Sequence, residues 1–359
     1  MTALFILIAI LIFGFLIFIH EFGHFITAKL CGVRVNEFSI NMGPKLFGWK
    51  RGETQYSFRL IPIGGYCAME GEDGDSEDPR SFASAKWWKR LIILCAGAFM
   101  NLLTGFVVMA FLYGFEYQVL TPEILKIEQG SALSEQGLQP GDELYSFDGK
   151  RLYFRDDFYL LEGRYDPNDV ELVVLRNGEK VTYPHFRMEK REFKDKDGNL
   201  QELYGFPFGK QQEPNFLNAT KYGALQCVDF TRMVWYGLQD LFTGRAGLKD
   251  MGGAVQVVDV IVQGGTEVSK ESKTSDGICY ALYIGAFIAV NLAVMNMLPI
   301  PALDGGRVLF LLIGTVYTAI TKKKINPKYE AWIHGVTMVL LLGLMAFLFL
   351  KDIFVILRR

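Results

Sequence analysis

Histidine is scarce in this sequence. Only four occur, at positions 20, 24, 185 and 334, so a histidine-built metal site has few possible ligands. Cysteine offers no substitute. Cys31, Cys67, Cys95, Cys227 and Cys279 are odd in number, scattered, and never spaced C-x-x-C, which reads as neither a disulfide scaffold nor a cysteine zinc site. Charge of one sign is lacking too: the formal net charge is -2, so no bulk field draws a nucleic acid partner. The most telling absence is local, because four long stretches carry almost no charge at all.

Half of the 359 residues are hydrophobic and 14% are aromatic, enough chain for more than one folded unit. A run of roughly 18 or more apolar residues can span a bilayer core. Four segments meet that length: residues 1–30, 87–113, a broken stretch over 278–320, and 331–357. The first has no basic leader and no small-residue cleavage site, so it does not read as a removable signal peptide. Trp87, Trp88, Lys89 and Arg90 precede the second as an interfacial anchor would. The alternative, a bundle of buried core helices in a soluble protein, fits poorly with four such runs. Lys and Arg crowd the region 29–90, and Lys322, Lys323, Lys324 and Lys328 follow the third span. Both regions are therefore expected on the cytoplasmic side, with 115–277 and both termini outside; Lys351, Arg358 and Arg359 oppose this weakly.

Residues 20–24 read His-Glu-Phe-Gly-His inside the first apolar run. On a helix, His20 and His24 share one face and can offer two imidazoles to one zinc ion. Glu21 between them can reach a water as general base. Ionisable groups at lipid depth are expensive to bury, which favours function over a polar cluster at a helix exit. Catalytic zinc usually takes three protein ligands. Asp304 is the candidate third, an acid in an apolar stretch flanked by Pro299, Pro301, Gly305 and Gly306, which break the helix. Asp304 could instead pair with Arg307 or cap a helix at the Gly-Gly break, and spacing does not decide among these.

These motifs resemble the site-2 protease family of intramembrane zinc metalloproteases, in the bacterial form carrying one PDZ domain. The resemblance rests on His20-Glu21-Phe22-Gly23-His24 and on Asn296 to Gly305, with smaller matches at Gly64-Gly65-Tyr66, Gly97 to Asn101, and Leu241 to Arg245 leading into Gly252-Gly253. They cover nearly the whole chain in the family's order. The resemblance implies that Asp304 is the third zinc ligand, Glu21 the catalytic residue, and that Asn296 helps hold the substrate backbone. The chain departs from the family pattern at Asn41-Met42-Gly43-Pro44, where a Gly-Phe-Gly-Pro-like turn is common, and at Ala98 and Gly253, where proline is common.

Between the first two spans, residues 31–86 form a cytoplasmic region. Val33 to Asn41 and Gln55 to Ile61 read as strands, with Tyr56, Phe58 and Leu60 alternating against Ser57, Arg59 and Ile61. The resemblance implies a membrane-dipping β element beside the active site; a plain cytoplasmic hairpin is the alternative. The acidic run from Glu70 to Asp78 reads as a solvated loop. Residues 117–187 alternate short apolar strands with turns, and Gly137-Leu138-Gln139-Pro140-Gly141-Asp142 resembles a bacterial PDZ domain, which would bind a peptide or terminal carboxylate. His185 reads as a surface residue, and 194–199 as a hairpin turn rather than a calcium loop. In the extension, 188–277, Phe216 to Thr243 is helix-like with an apolar stripe. His334 reads as an interfacial residue rather than a ligand.

The fold class expected is thus a polytopic α-helical membrane protein with four transmembrane helices, a membrane-associated β region and one extracytoplasmic PDZ domain, set in a bacterial inner membrane. The expected activity is zinc-dependent cleavage of single-span membrane proteins, for example anti-sigma factors or remnant signal peptides. The cofactor is Zn2+, the partners are substrates and lipid, and nucleic acid is not among them. A catalytically silent PDZ-bearing scaffold is the alternative, though it has no need of three metal-binding groups in lipid. A metal transporter is disfavoured, because no chain of polar sites crosses the membrane.

Overall fold

The computed structural model describes residues 1–72, 76–127, 131–194, 200–204, 208–247, 251–323 and 327–358. Gly130, Lys324, Arg359, residues 195–199, where the sequence predicts a hairpin turn, and residues 73–75 of the acidic run lie outside them. The chain divides into two compact units, one of residues 1–109 with 230–359 and one of residues 110–229.

Four helices of the described chain are long and apolar enough to cross a membrane. These are α1 (Thr2–Cys31), α2 (Trp87–Phe115), and, further on, α7 (Thr274–Asn296) and α9 (Pro327–Leu357). Their outward faces are apolar: Leu11, Phe99, Val339 and Leu340 are each more than half exposed. In water such faces would drive association; in lipid they are already solvated. This is a polytopic membrane protein. Helix α1 stops at Gly32, which takes a left-handed conformation (φ 79°) while its N–H donates to the carbonyls of Lys29 and Ala28.

Lipid supplies no hydrophobic drive between helices, so close backbone approach has to hold them together. Phe5, Ala9 and Leu16 of α1 bury against Ala281, Ile288 and Ala289 of α7 and Ile261 of α6 (Ala254–Glu271). The interior Gly264-Gly265 pair makes α6 a poor helix on propensity, and the sequence reading placed no helix there. Packing overrides this: a Cβ on Gly265 would lie 2.6 Å from the Phe5 ring, so glycine is what lets α6 reach α1.

The region after α1 is more than a hairpin. Two strands, β1 (Val35–Arg51) and β2 (Thr54–Met69), fold back on themselves into four paired segments. Residues 35–40 pair with 65–69 on one side and with 55–58 on the other, and 45–51 pairs with 54–59. The folds fall where Asn41 and Gly43 take positive φ, within the Asn41-Met42-Gly43-Pro44 turn, and at Gly64. Phe38, Cys67 and Met69 at the root of this sheet join Ala28, Ile93, Leu94 and Leu311 in one core. The other end leaves Ile40, Met42, Leu46, Phe47 and Trp49 exposed.

The third apolar stretch is broken as expected. After α7 ends at Asn296, seven residues turn the chain before α8 (Asp304–Thr321) begins. Gly305 and Gly306 fit against this turn only as glycines, since a Cβ would come within 2.3 Å of the Leu298 and Ile300 carbonyl oxygens respectively.

In the second unit, β3 (Val119–Ile124), α3 (Ala132–Glu135), β4 (Glu143–Phe147), β5 (Lys150–Arg151), α4 (Arg155–Glu162), β6 (Val170–Arg176) and β7 (Glu179–Phe186) precede the hairpin β8 (Arg191–Lys194) and β9 (Leu200–Leu203), and β10 (Phe208–Gln212) closes the set. The sheet runs β10-β3-β4-β6-β7, with β5 on β4. It does not stop at residue 187: β10 pairs antiparallel with β3, whose outer edge would otherwise be unpaired. Phe147, Phe158, Leu152 and Phe186 fill the core. The helix α5 (Phe216–Thr243) follows, with Cys227, Phe230 and Val234 of its apolar stripe buried.

Asp142, in the Pro140-Gly141-Asp142 turn, is 1% exposed and holds Arg176 in a bidentate pair, with both N···O distances 2.8 Å. Arg176 is a quarter exposed and also bonds the Gly137 carbonyl and the Tyr183 hydroxyl, so it is not stranded by the loss of Asp142. Asp142→Ala is expected to destabilise the second unit by about 1–2 kcal/mol, the scale of lost charge-assisted hydrogen bonds, read as a lowered thermal midpoint, while zinc content stays unchanged.

Candidate metal centre

His20 and His24 sit one turn apart on α1, ring centroids 4.9 Å apart and edge to face. The start of α8 brings Asp304 to them. Its Oδ2 lies 3.2 Å from His20 Nε2 and 3.3 Å from His24 Nε2, and the two Nε2 atoms are 3.3 Å apart. Asp304 Oδ2 is buried and makes no regular hydrogen bond. Three electron-rich atoms facing one another at this range repel unless positive charge lies between them. The triangle has the right size for that: tetrahedral zinc with bonds of about 2.0–2.1 Å spaces its ligands by roughly 3.3–3.4 Å. The donor set of two imidazoles and a carboxylate is one that catalytic zinc accepts. These three residues form the one cluster of potential metal ligands among the described residues.

The surroundings fix the donors. His24 Nδ1 lies 2.8 Å from the Ile93 carbonyl oxygen. A carbonyl only accepts, so Nδ1 carries the proton and Nε2 keeps the lone pair for a metal. His24 is 6% exposed and has no freedom to turn. Asp304 is neither the helix cap nor the partner of Arg307. Leu303 occupies the cap position, and Arg307 pairs through Nη1 with Glu72. Asp304 stands in the first turn of α8, where the helix dipole favours a carboxylate.

Gly97 on α2 underlies both imidazoles. A Cβ there would come within 2.4 Å of His24 Nε2 and 2.7 Å of His20 Cε1, against the faces the two imidazoles turn toward Asp304. Asn101, one turn along α2, has Nδ2 at 3.3 Å from His20 Nδ1, and Asn296 reaches 3.5 Å from the same atom. The sequence reading quoted Gly97 and Asn101 only as part of a resemblance. Their signal was a small residue and an amide in an otherwise apolar span. It also assigned His334 no part in the site. In the structure, His334 Nδ1 accepts the Ala302 N–H at 2.7 Å. Ala302 has φ 76°, rare for a residue with a side chain, and lies two residues before Asp304. The imidazole thus helps fix the turn that presents the carboxylate. His185 binds Asp169 at the surface, at 2.8 Å, far in chemistry from this centre.

Glu21 is half-buried beside the two histidines and lines a cleft between α1 and the four-segment sheet, together with Ile17, Ser39, Ile40 and Gly64. The edge segment 65–69 starts here. A Cβ on Gly65 would stand 3.2 Å from Glu21 Cγ. An acid that can move a proton, a potential metal site and an extended backbone edge therefore meet in one place.

Membrane helices carrying such a centre define a membrane-embedded metallohydrolase class, and comparison with known proteins gives the family. Residues 8–344 match peptidase family M50. A candidate zinc metalloprotease of Clostridium perfringens is 34% identical over 354 residues, covering 98% of each chain. The regulator of sigma-W protease RasP of Bacillus subtilis is 27% identical over 427 aligned positions, covering 96% of this chain and 97% of its own. The zinc metalloprotease RasP of Bacillus licheniformis is equally similar, at 27%. The chain belongs to peptidase family M50 and is a zinc metalloprotease.

Gly97→Ala should push His20 and His24 apart and weaken metal binding. Zinc affinity is expected to fall by about tenfold or more, the scale of a disrupted ligand environment, as measured by competition with a chelator.

Proposed function

We propose that this protease cuts peptide bonds within or near the transmembrane segment of single-span membrane proteins, with His20, His24 and Asp304 holding the zinc and Glu21 as general base. One observation carries the proposal: the three donor atoms stand 3.2–3.3 Å apart on membrane helices, beside an acid that lines a cleft. Zinc bound by these residues supplies Lewis acidity, bringing the pKa of a water to about 7. Glu21 takes the proton from the attacking water and returns it to the leaving amine. The substrate enters as an extended strand, because a helical peptide bond is shielded by its own turn. The edge segment 65–69 offers main-chain hydrogen bonds to such a strand without demanding one side chain. The amide of Asn296 holds the substrate backbone near the reacting carbonyl.

The second unit acts as a PDZ domain on the extracytoplasmic side, binding a peptide or terminal carboxylate; its sheet order and the Gly137-to-Asp142 turn support this. The protein resides in a bacterial inner membrane, with the metal centre toward the cytoplasm, as the Lys and Arg around 29–90 favour. A relative named as a regulator of sigma-W supports anti-sigma factors as one substrate class.

Glu21→Gln tests the reading. The variant should keep its zinc and lose peptide hydrolysis by about 100-fold or more, and should trap a membrane-spanning protein that mass spectrometry can identify. Removing zinc from the wild type with a chelator should abolish cleavage, and adding it back should restore it. Undiminished hydrolysis by the Gln variant would remove Glu21 from the mechanism.

A further inference from the structure

The two imidazoles are held differently. His24 Nδ1 meets a backbone carbonyl, whose chemistry leaves one tautomer. Among the described residues, His20 Nδ1 meets two side-chain amides, Asn101 at 3.3 Å and Asn296 at 3.5 Å. An amide can either donate or accept, so the tautomer of His20 depends on which end it presents. If Nε2 is to carry a lone pair toward the metal position, Nδ1 must bear the proton and needs an acceptor. Asn101 is 1% exposed, and its Oδ1 has no hydrogen-bond partner among the described residues. That oxygen and the amide nitrogen exchange places by a half-turn of the side chain, so the same amide can present either end to Nδ1.

We propose that Asn101 is a positioning residue for the metal centre: its side-chain carbonyl accepts the Nδ1–H of His20 and so holds the imidazole with Nε2 free to bind zinc. With the amide turned the other way, N–H toward Nδ1, His20 would carry its proton on Nε2 and donate to Asp304 Oδ2, 3.2 Å away. That arrangement suits a centre without metal. One buried amide thus serves both states, where a backbone carbonyl serves one. Asn296 is less buried and farther from Nδ1, which leaves it available to substrate. Asn101 also belongs to the same helix as Gly97, one turn away. The helix that leaves room for the metal therefore carries the acceptor that orients a ligand to it.

The inference rests on the zinc assignment proposed above, and its test does not use proteolysis. Zinc affinity of the full-length protein in detergent is measured by competition with a chromophoric chelator, for wild type, Asn101→Leu and Asn101→Asp. Leu keeps the volume and removes the acceptor; Asp keeps an acceptor and cannot donate. Asn101→Leu is expected to bind zinc about 10- to 100-fold more weakly, and Asn101→Asp to stay near the wild-type value. Thermal midpoints of the three metal-free proteins are compared, and Asn101→Ala replaces the Leu variant if that one does not fold. Equal zinc affinity in wild type and Leu variant would overturn the proposal. So would an Asp variant as weak as Leu, which would assign Asn101 to packing. A protein that binds zinc as expected and hydrolyses nothing would instead refute the proteolytic reading and leave this one intact.

Discussion

Three electron-rich atoms held within 3.3 Å of one another form the constraint on which this structure turns. Such a triangle holds together only around shared positive charge, a metal ion or an imidazole proton. Much of the surrounding architecture can be understood as the means of keeping it assembled. The Ile93 carbonyl locks His24, the Gly305-Gly306 pair lets the Asp304 turn close on the end of α7, and Gly97 leaves the space in the middle open.

The carboxylate side of the centre is held from several directions. Arg307 ties the first turn of α8 to Glu72 at the end of the four-segment sheet, and His334 on α9 holds Ala302. The sheet and the last span are thereby joined to the carboxylate that faces the two histidines. A movement of the sheet or of α9 would be felt at Asp304 through these two connections.

The spans, the paired histidines with their glutamate, and the break before Asp304 were all legible in the sequence, because each is a local pattern: charge-free length, helical spacing, and a cluster of proline and glycine. Where the pattern was local but context overruled it, the reading fell short. Helix α6 was missed, because its two interior glycines lower helix propensity and only their contact with Phe5 explains them. The sheet between the first spans was read as two simple strands, because its double pairing requires 35–40 to meet two partners distant in sequence. The strand β10 was left outside the sheet for the same reason.

By itself, then, the sequence determined which groups are available: two imidazoles on one helical face, an acid between them, and a carboxylate beside a backbone break. Periodicity and propensity act over a few residues, and those features lie within that reach. Only the tertiary structure decided that Asp304 faces the histidines rather than Arg307, that the amide of Asn101 meets His20, and that His334 supports the turn. Those contacts join residues separated by tens to hundreds of positions, and they are set by how helices approach one another, which no local pattern encodes.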